Sequence, residues 1–489
     1  MRSKADTHWI KAFLSDPENQ YSWIFWVWAG LLWAAGLAVW GFFLNWGLGP
    51  YNFHDWFEIT VPRLTFLQNA VRQGLLPVHI ADPAALNKLT DRFLGIPDVL
   101  LSPQIMLLQW LEVRQFILVN VLLLYSVGYT GLLVFARRYR LSALAFTVLA
   151  LLFNLNGHLV AHFSVGHLSW TGFFLFSWVL LLLFDLFEGR TGWMWVLCFA
   201  GVLLAMLLQG GYHPLVYSLF LLGLMVLVRP AQWRWIAAAG LAAILLCAAR
   251  LLPATLNLAQ IDENIKFIGG YLDISEIFSA MLVQQTPNEL TMRLGAQNTL
   301  GTWELSLYIG LLGIAFLAVF GVVLPIIHRQ RANQYSGLLI AVVPLALLSL
   351  DQVFKWLGWL VPLPPISGER VAARFLSLAF LVVLFVAVIE FQSWLNQQKP
   401  SPGLWVGLSG FTLALGHDLL QNLRYWQVRV AAGSFNSFIE QPDRWTVANH
   451  PDPSYFNIVK IGAGVSLLTL VVLLVLCYRE VRQRHPLYA

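Results

Sequence analysis

An all-α polytopic membrane protein is the fold class this sequence predicts, and three observations predict it. Of its 489 residues 58% are hydrophobic and only 11% charged, too little charge to cover a soluble protein of this length. Apolar runs suited to a bilayer recur along the chain, a hydrocarbon core of roughly 30 Å taking about 20 apolar residues per helix. The short segments between alternate runs carry arginine, as the positive-inside rule asks of cytoplasmic loops.

Taken in order, the runs are 23–45, 116–136, 142–160, 169–187, 192–209, 214–229, 235–252, 305–326, 337–350, 373–393, 403–417 and 457–477, about twelve spans. The shorter ones, 337–350 above all, are candidates for tilted, broken or re-entrant helices. Arg137, Arg138 and Arg140, then Arg329 and Arg331, then Arg479, Arg482 and Arg484 mark the inner side, so both termini are expected in the cytoplasm. The first run is long enough to stay as an anchor and does not read as a cleaved leader. Tryptophans gather near span ends (Trp23, Trp26, Trp46, Trp170, Trp193, Trp195, Trp233, Trp235), where amphipathic rings sit at headgroup level.

Between the spans the mass is uneven. Residues 1–22 are polar and read as a cytoplasmic surface helix with Trp9, Ile10 and Phe13 as its apolar face. The first outer loop, 46–115, opens with YNFHDWFE. Within it FLQNAVRQG (66–74) reads as a helix stopped by Gly74. VLLSPQIMLLQWLEV (99–113), too short to span and interrupted by Pro103, reads as a helix in the plane of the interface. Further outer segments are 253–304, 351–372 and 418–456. Pro362, Pro364 and Pro365 make 351–372 a poor helix, fit for a dip into the membrane inside the protein. Inner loops are short, so chemistry is expected on the outer side. The resulting division is the segment 1–22, a module 23–395 that includes loop 46–115, and C-terminal spans 396–489 with the outer loop 418–456 and a tail.

Composition excludes several function classes. The net charge of +5 follows from topology. No basic stripe with interleaved aromatics appears, so nucleic acid is not an expected partner. Cys198, Cys247 and Cys477 fall within runs, without disulfide or zinc spacing, and read as small core residues. The glycine pairs 210–211 and 269–270 suggest tight outer turns. No Walker-type lysine follows them.

The candidate site residues are polar groups stranded in this apolar sequence. Asp55 and Glu58, with His54 alongside, follow the exit of the first span. On a helix a spacing of three would put both carboxylates on one face, fit to deprotonate a hydroxyl or to hold a divalent cation (Mg or Mn) against a phosphate. The plainer alternative is that Asp55 caps a helix. His158 ends the third span in NLNGH. His162 and His167 fall in the connecting turn, and His213 follows in QGGYHP. All four are expected at the outer pole, as phosphate ligands, proton carriers, zinc ligands or ordinary interfacial hydrogen-bonders. Arg250 lies near the outer end of a span. Arg370 and Arg374, four apart in GERVAARF, share a helical face. Guanidinium forks suit phosphate oxygens; pairing with Glu369 or Glu304, or snorkelling to headgroups, is the alternative. Asp185 and Glu390, near inner span ends, read as solvated.

Several of these segments resemble YfhO-type bacterial membrane proteins. FNLNGHLVAHFSVGHLSWTGFFLFSWVLLLL resembles their Asn/Gly/His turn before a span. LLQGGYHPLVYSLFLL resembles their Gly-His-Pro turn, with Tyr212 intervening. LLCAARLLPATLNLAQ resembles their Leu-Leu-Pro span end, and WELSLYIGLLGIAFLAV their Tyr-x-Gly span start. GERVAARFLSLAFLVVL resembles their Arg-Val-Pro-x-Arg-Phe start, with Ala372 where proline is usual. The similarity runs over about 115–395, with Asp55 earlier.

The resemblance implies the GT-C glycosyltransferase architecture, in the bacterial cytoplasmic (inner) membrane. It implies transfer of a sugar from a polyprenyl-phosphate donor at the extracytoplasmic face. Asp55 corresponds by position to the catalytic aspartate that such families carry on the first outer loop. Arg370 and Arg374 become candidates for the lipid phosphate, with His158, His167, His213, Arg250 and Glu58 as further substrate contacts. Two rivals stand beside it. One is a non-catalytic GT-C-like subunit packed with membrane protein partners in a larger complex. The other is a transporter or lipid flippase, against which the two halves show no likeness and few ionisable groups lie within spans.

Overall fold

The structure, a computed structural model, describes residues 22–83, 90–258, 269–287, 300–327, 334–360, 369–399, 401–435 and 445–484. The polar segment with Trp9, Ile10 and Phe13, the inner Arg329 and Arg331, and Pro362, Pro364 and Pro365 lie outside the described residues. Among those described the chain is helical, with isolated β-bridges only.

Each predicted run coincides with a helix or a helical stretch. Among the described residues 7 helices are long and apolar enough to cross a membrane: Trp23–Phe43, Val113–Arg138, Ala143–Ser164, Leu168–Phe187, Thr302–Ile327, Ala372–Gln397 and Pro453–Gln483. The number is 8 if Pro230–Leu246 and Ala248–Leu256, which meet at 66°, count as one bent span. Trp193–Leu207, Tyr212–Val228 and Leu339–Leu348 are apolar but shorter. Pro402–Tyr425 is long, but it carries Ser409, His417, Asp418 and Arg424 among its apolar residues and does not reach the apolarity of the others. Leu467, Leu468, Val471, Leu474 and Val475 of the last helix are exposed. A helix so apolar on its open face suits lipid and not water. The architecture is that of a polytopic helical membrane protein.

The chain divides into two compact units, each drawn from three stretches of sequence: 1–50, 121–165 and 267–435 in the first, 51–120, 166–266 and 436–489 in the second. Helices that pack together here are often far apart in the chain.

The first unit is organised around Phe375–Gln397, buried along most of its length. Its Phe385 meets Phe135 and Phe153 at ring-centroid distances of 4.5 and 6.1 Å, and Phe391 meets Phe316 and Phe320. The span Ala143–Ser164 is two helices joined at Asn156, whose side-chain oxygen accepts from the Leu159 amide and caps the second. Polar contacts fasten the helix Ser22–Phe43 here. Trp28 Nε1 donates to Thr147, and the Tyr129 hydroxyl donates to the Ala29 carbonyl. Such bonds hold helices together where apolar burial offers no preference over lipid.

In the second unit the last helix, Pro453–Arg484, packs on Ala248–Leu258, where the Ala249 amide donates to Ser466. Glu480 accepts from the Trp193 amide at the start of Trp193–Leu207, filling free donors at a helix N-terminus. The predicted helix at 66–74 is the end of Val61–Arg72, and Gly74 stops it in the left-handed region at φ +67°. The segment expected in the interface forms a 3₁₀ stretch, Pro103–Gln109, that buries Ile105 and Leu108 and exposes Met106, with Trp110 exposed at its end. In the first unit, the part of 351–372 expected to be a poor helix starts with a regular one, Asp351–Leu360.

Candidate functional site

The site begins where the chain leaves Tyr51. His54 takes a left-handed backbone, φ +44°, and Asp55 then starts a turn of π-helix, Trp56–Thr60, that runs on into Val61–Arg72. The π turn is wider than an α turn. Three residues therefore do not return Glu58 to the face of Asp55. Asp55 is half-buried and Glu58 is exposed. The expected shared face is absent for that reason. Asp55 makes no side-chain capping bond, so it is not spent as a helix cap.

His167 is brought to Asp55 by a glycine. Gly166 sits at φ +98°, a region L side chains rarely adopt, and a Cβ there would overlap the backbone nitrogen of Trp56. Thr60 Oγ1 donates to the Gly166 carbonyl at 2.6 Å and fixes the approach. At this contact His167 Nε2 lies 2.9 Å from Asp55 Oδ2, and His54 Nδ1 lies 3.4 Å from Asp55 Oδ1. The histidine rings are tilted, 6.4 Å apart. Burial pushes the Asp55 carboxyl up. Donation from His167 and the charges of His167, His54 and Arg63 outweigh it and leave Asp55 below the usual carboxylate range. The group is therefore an anion at neutral pH.

Behind this centre the helix Val61–Arg72 presents Arg63, which donates from Nη1 to the Pro97 carbonyl at 2.8 Å. Arg250 donates from Nη2 to the Ile96 carbonyl at 2.6 Å and to Asp98 Oδ1 at 3.2 Å. Two arginines thus clamp the loop at 96–98, and charges of alternating sign run from Asp55 through Arg63 and Asp98 to Arg250. Arg63 Nε and Arg250 Nε and Nη1 are buried donors without a hydrogen-bond acceptor among the described residues, an expensive condition for a guanidinium. His213, in the first turn of Tyr212–Val228, is half-buried with its ring 6.1 Å from Tyr217 and does not join the Asp55 cluster.

The first unit holds the other candidates. His158 and His162 lie on the buried helix Gly157–Ser164, His162 thus not in the connecting turn expected for it, with rings 4.4 Å apart. Arg374 donates from Nε and Nη2 to the two carboxylate oxygens of Glu304, at 2.8 and 2.6 Å, and its Nη1 lies 3.7 Å from Glu369. His162 Nε2 lies 3.8 Å from Glu304. The fork expected for phosphate is filled by carboxylates of the protein. Arg370 is exposed. Asp185 and Glu390 are buried, which corrects the solvated reading. Their helices are covered by other helices at those turns and not by water.

His54, Asp55 and His167 each offer one ligand atom, all within 4.8 Å of one another. Two imidazoles and a carboxylate suit manganese better than magnesium, which prefers oxygen. Sequence reasoning named Asp55 and His167 and noted His54. It missed Arg63 and Asp98. An arginine about two helical turns past the acid was the available signal. No protein-family model matches the chain, and the comparison with curated proteins gives no match.

Proposed function

We propose that the chain is a membrane glycosyltransferase of GT-C type. It would move a sugar from a polyprenyl-phosphate donor to an acceptor hydroxyl at the extracytoplasmic face of a bacterial inner membrane, with about twelve spans and both termini cytoplasmic. The observation that carries the reading is Asp55, a half-buried carboxylate that follows the first apolar helix in the chain, held ionised by His167 at 2.9 Å and His54 at 3.4 Å and not used as a cap. The resemblance of 115–395 to YfhO-type proteins supports the substrate class.

In this mechanism the acceptor oxygen bonds to the anomeric carbon as the bond from that carbon to the phosphate oxygen breaks, with inversion. The hydroxyl proton passes to Asp55. His167, hydrogen-bonded to Asp55, keeps the carboxylate oriented through the step. The lipid phosphate leaves as an anion and needs cations. Arg63, half-buried about two helical turns beyond the acid with an idle Nε–H, is such a group in this unit. Arg370 and Arg374 belong to the other unit, where Glu304 occupies the fork of Arg374. A divalent cation held by His54, Asp55 and His167 would supply charge for a leaving phosphate.

The engagement of Arg374 favours one rival, a non-catalytic subunit that keeps the architecture without the phosphate grip. One experiment separates the two. Purified protein is given a panel of polyprenyl-phosphate-linked sugars and release of polyprenyl phosphate is followed. Turnover that falls by about 10²–10⁴-fold in Asp55→Asn, with the thermal transition kept, supports the enzyme. Turnover in Asp55→Asn equal to the parent removes Asp55 from the mechanism. No turnover by the parent on any donor, together with co-purifying membrane subunits, supports the rival.

A further inference from the structure

A second cluster of ligating side chains stands apart from the Asp55 centre in the same unit, and nothing above uses it. The segment 76–80 and the segment 445–452 are fastened side by side. Asn449 Oδ1 accepts from the amides of Val78 and His79, its Nδ2 donates to the Leu76 carbonyl, and Ile80 bridges Val447. His79 in turn bridges Arg92, which brings Asp91 alongside. The result collects His79, Asp91 and His450, whose ligand atoms all lie within 4.8 Å of one another.

His79 is the unexplained member. Its side chain has no exposure to solvent, and neither ring nitrogen has a hydrogen-bond partner among the described residues. A buried imidazole whose Nδ1 is idle and whose Nε2 meets only a carboxylate at 3.7 Å is costly. Its ring is boxed by His450, stacked with centroids 4.0 Å apart, and by Tyr455 and Phe456 at 5.2 and 5.9 Å. Around it lie the acids that would complete a metal shell. Asp91 contacts His450 Nε2, and Asp452 Oδ2 is 3.7 Å from His79 Nε2. Ligand atoms about 3.4 Å apart are what a tetrahedral ion with bonds of about 2.0–2.1 Å needs.

We propose that His79, Asp91 and His450 bind a zinc-class divalent ion that staples the C-terminal segment 445–452 to the first loop. Imidazole and carboxylate together suit zinc. His450 and Asp91 are the more open members, 49% and 25% exposed, and can turn from each other toward an ion held by the fixed His79. Asp452 is already bonded by Arg92 Nε at 2.8 Å, so water is the natural fourth ligand and Asp452 a partner that orients the site.

The test uses full-length protein in detergent, stripped with EDTA and titrated with Zn²⁺ alone. Co²⁺ absorption serves as a second probe. The parent is expected to take up Zn²⁺ and to gain thermal stability. His450→Ala and Asp91→Asn, changes at exposed positions, are expected to lose one equivalent of Zn²⁺, or to bind it about tenfold more weakly or worse, and to lose the Co²⁺ band. Asp55→Asn is expected to keep that equivalent, which separates this site from the other histidine cluster. No Zn²⁺ uptake by the parent, or equal stoichiometry and affinity in His450→Ala, would overturn the proposal.

Discussion

Asp55 in the second unit and Glu304 in the first are both carboxylates set among cations inside a membrane protein, yet their surroundings differ. Asp55 is met by two imidazoles, at 2.9 and 3.4 Å, and stays half-exposed. Glu304 is buried and grips both sides of a guanidinium fork, with a second acid, Glu369, on the same arginine. The Glu304 arrangement leaves little charge for anything outside the protein. Around Asp55 one open carboxylate is kept ionised without being consumed. Paired charges buried in full are weak evidence of function, since partners exist to offset desolvation. An ionised group held at partial exposure is stronger evidence. The comparison directs functional tests to the second unit and stability tests to the first.

The largest expected effect is the loss of about 10²–10⁴-fold in transfer on Asp55→Asn. It sharpens the contrast if the variant gives up much less stability than a broken buried pair costs, about 3–5 kcal/mol. The contrast breaks if Asp55→Asn instead lowers stability as a buried pair would.

Next in size is Arg374→Ala, which leaves Glu304 and Glu369 buried without their cation and should cost about 3–5 kcal/mol, read from denaturant or thermal unfolding in detergent. A phosphate-binding role for Arg374 would give the reverse pattern, a stable protein whose KM for the lipid donor rises.

These two residues also show how much the sequence could tell. Asp55 and His167 stood out because polar groups are rare in so apolar a chain, and Glu304 and Glu369 stood out as alternatives for Arg374. The helices were legible for the same reason, since hydropathy is a local property and the bilayer sets its length scale. What local pattern does not encode is the backbone that joins the parts. The π turn that takes Glu58 off the face of Asp55 has no periodic signature. The two units draw on three stretches each because helix packing ignores chain order. His79 and His450 lie far apart in sequence, and only the tertiary bridge between 80 and 447 brings them together.

A smaller effect is expected for Gly166→Ala. The left-handed φ and the missing space beside Trp56 should together cost about 1–3 kcal/mol. The backbone would have to draw back and lengthen the His167–Asp55 contact. Activity should fall more than stability alone accounts for, because the substitution touches no reacting group and acts on the distance. Equal residual activity per folded molecule would mean that the contact is structural, as the Glu304 contact is.

The smallest effect is on pH dependence, and its sign follows from the direction of the Asp55 shift. Asp55 in the folded protein lies below its ordinary value, which is about 3.9 in an unfolded chain. It therefore contributes stability that is fully present above the unfolded value and is lost as pH falls through the folded one. A reaction that needs the carboxylate should accordingly hold its rate on acidification until below the ordinary carboxylate range. His167→Ala removes the hydrogen bond and the nearest charge that lower Asp55, while burial remains and acts in the opposite direction. The acid limb of the rate profile should then move to higher pH, with the plateau reduced and the protein still folded. An acid limb unmoved in His167→Ala would mean that the histidine does not tune the acid, and the distinction drawn between the two carboxylates would fail at its nearest contact.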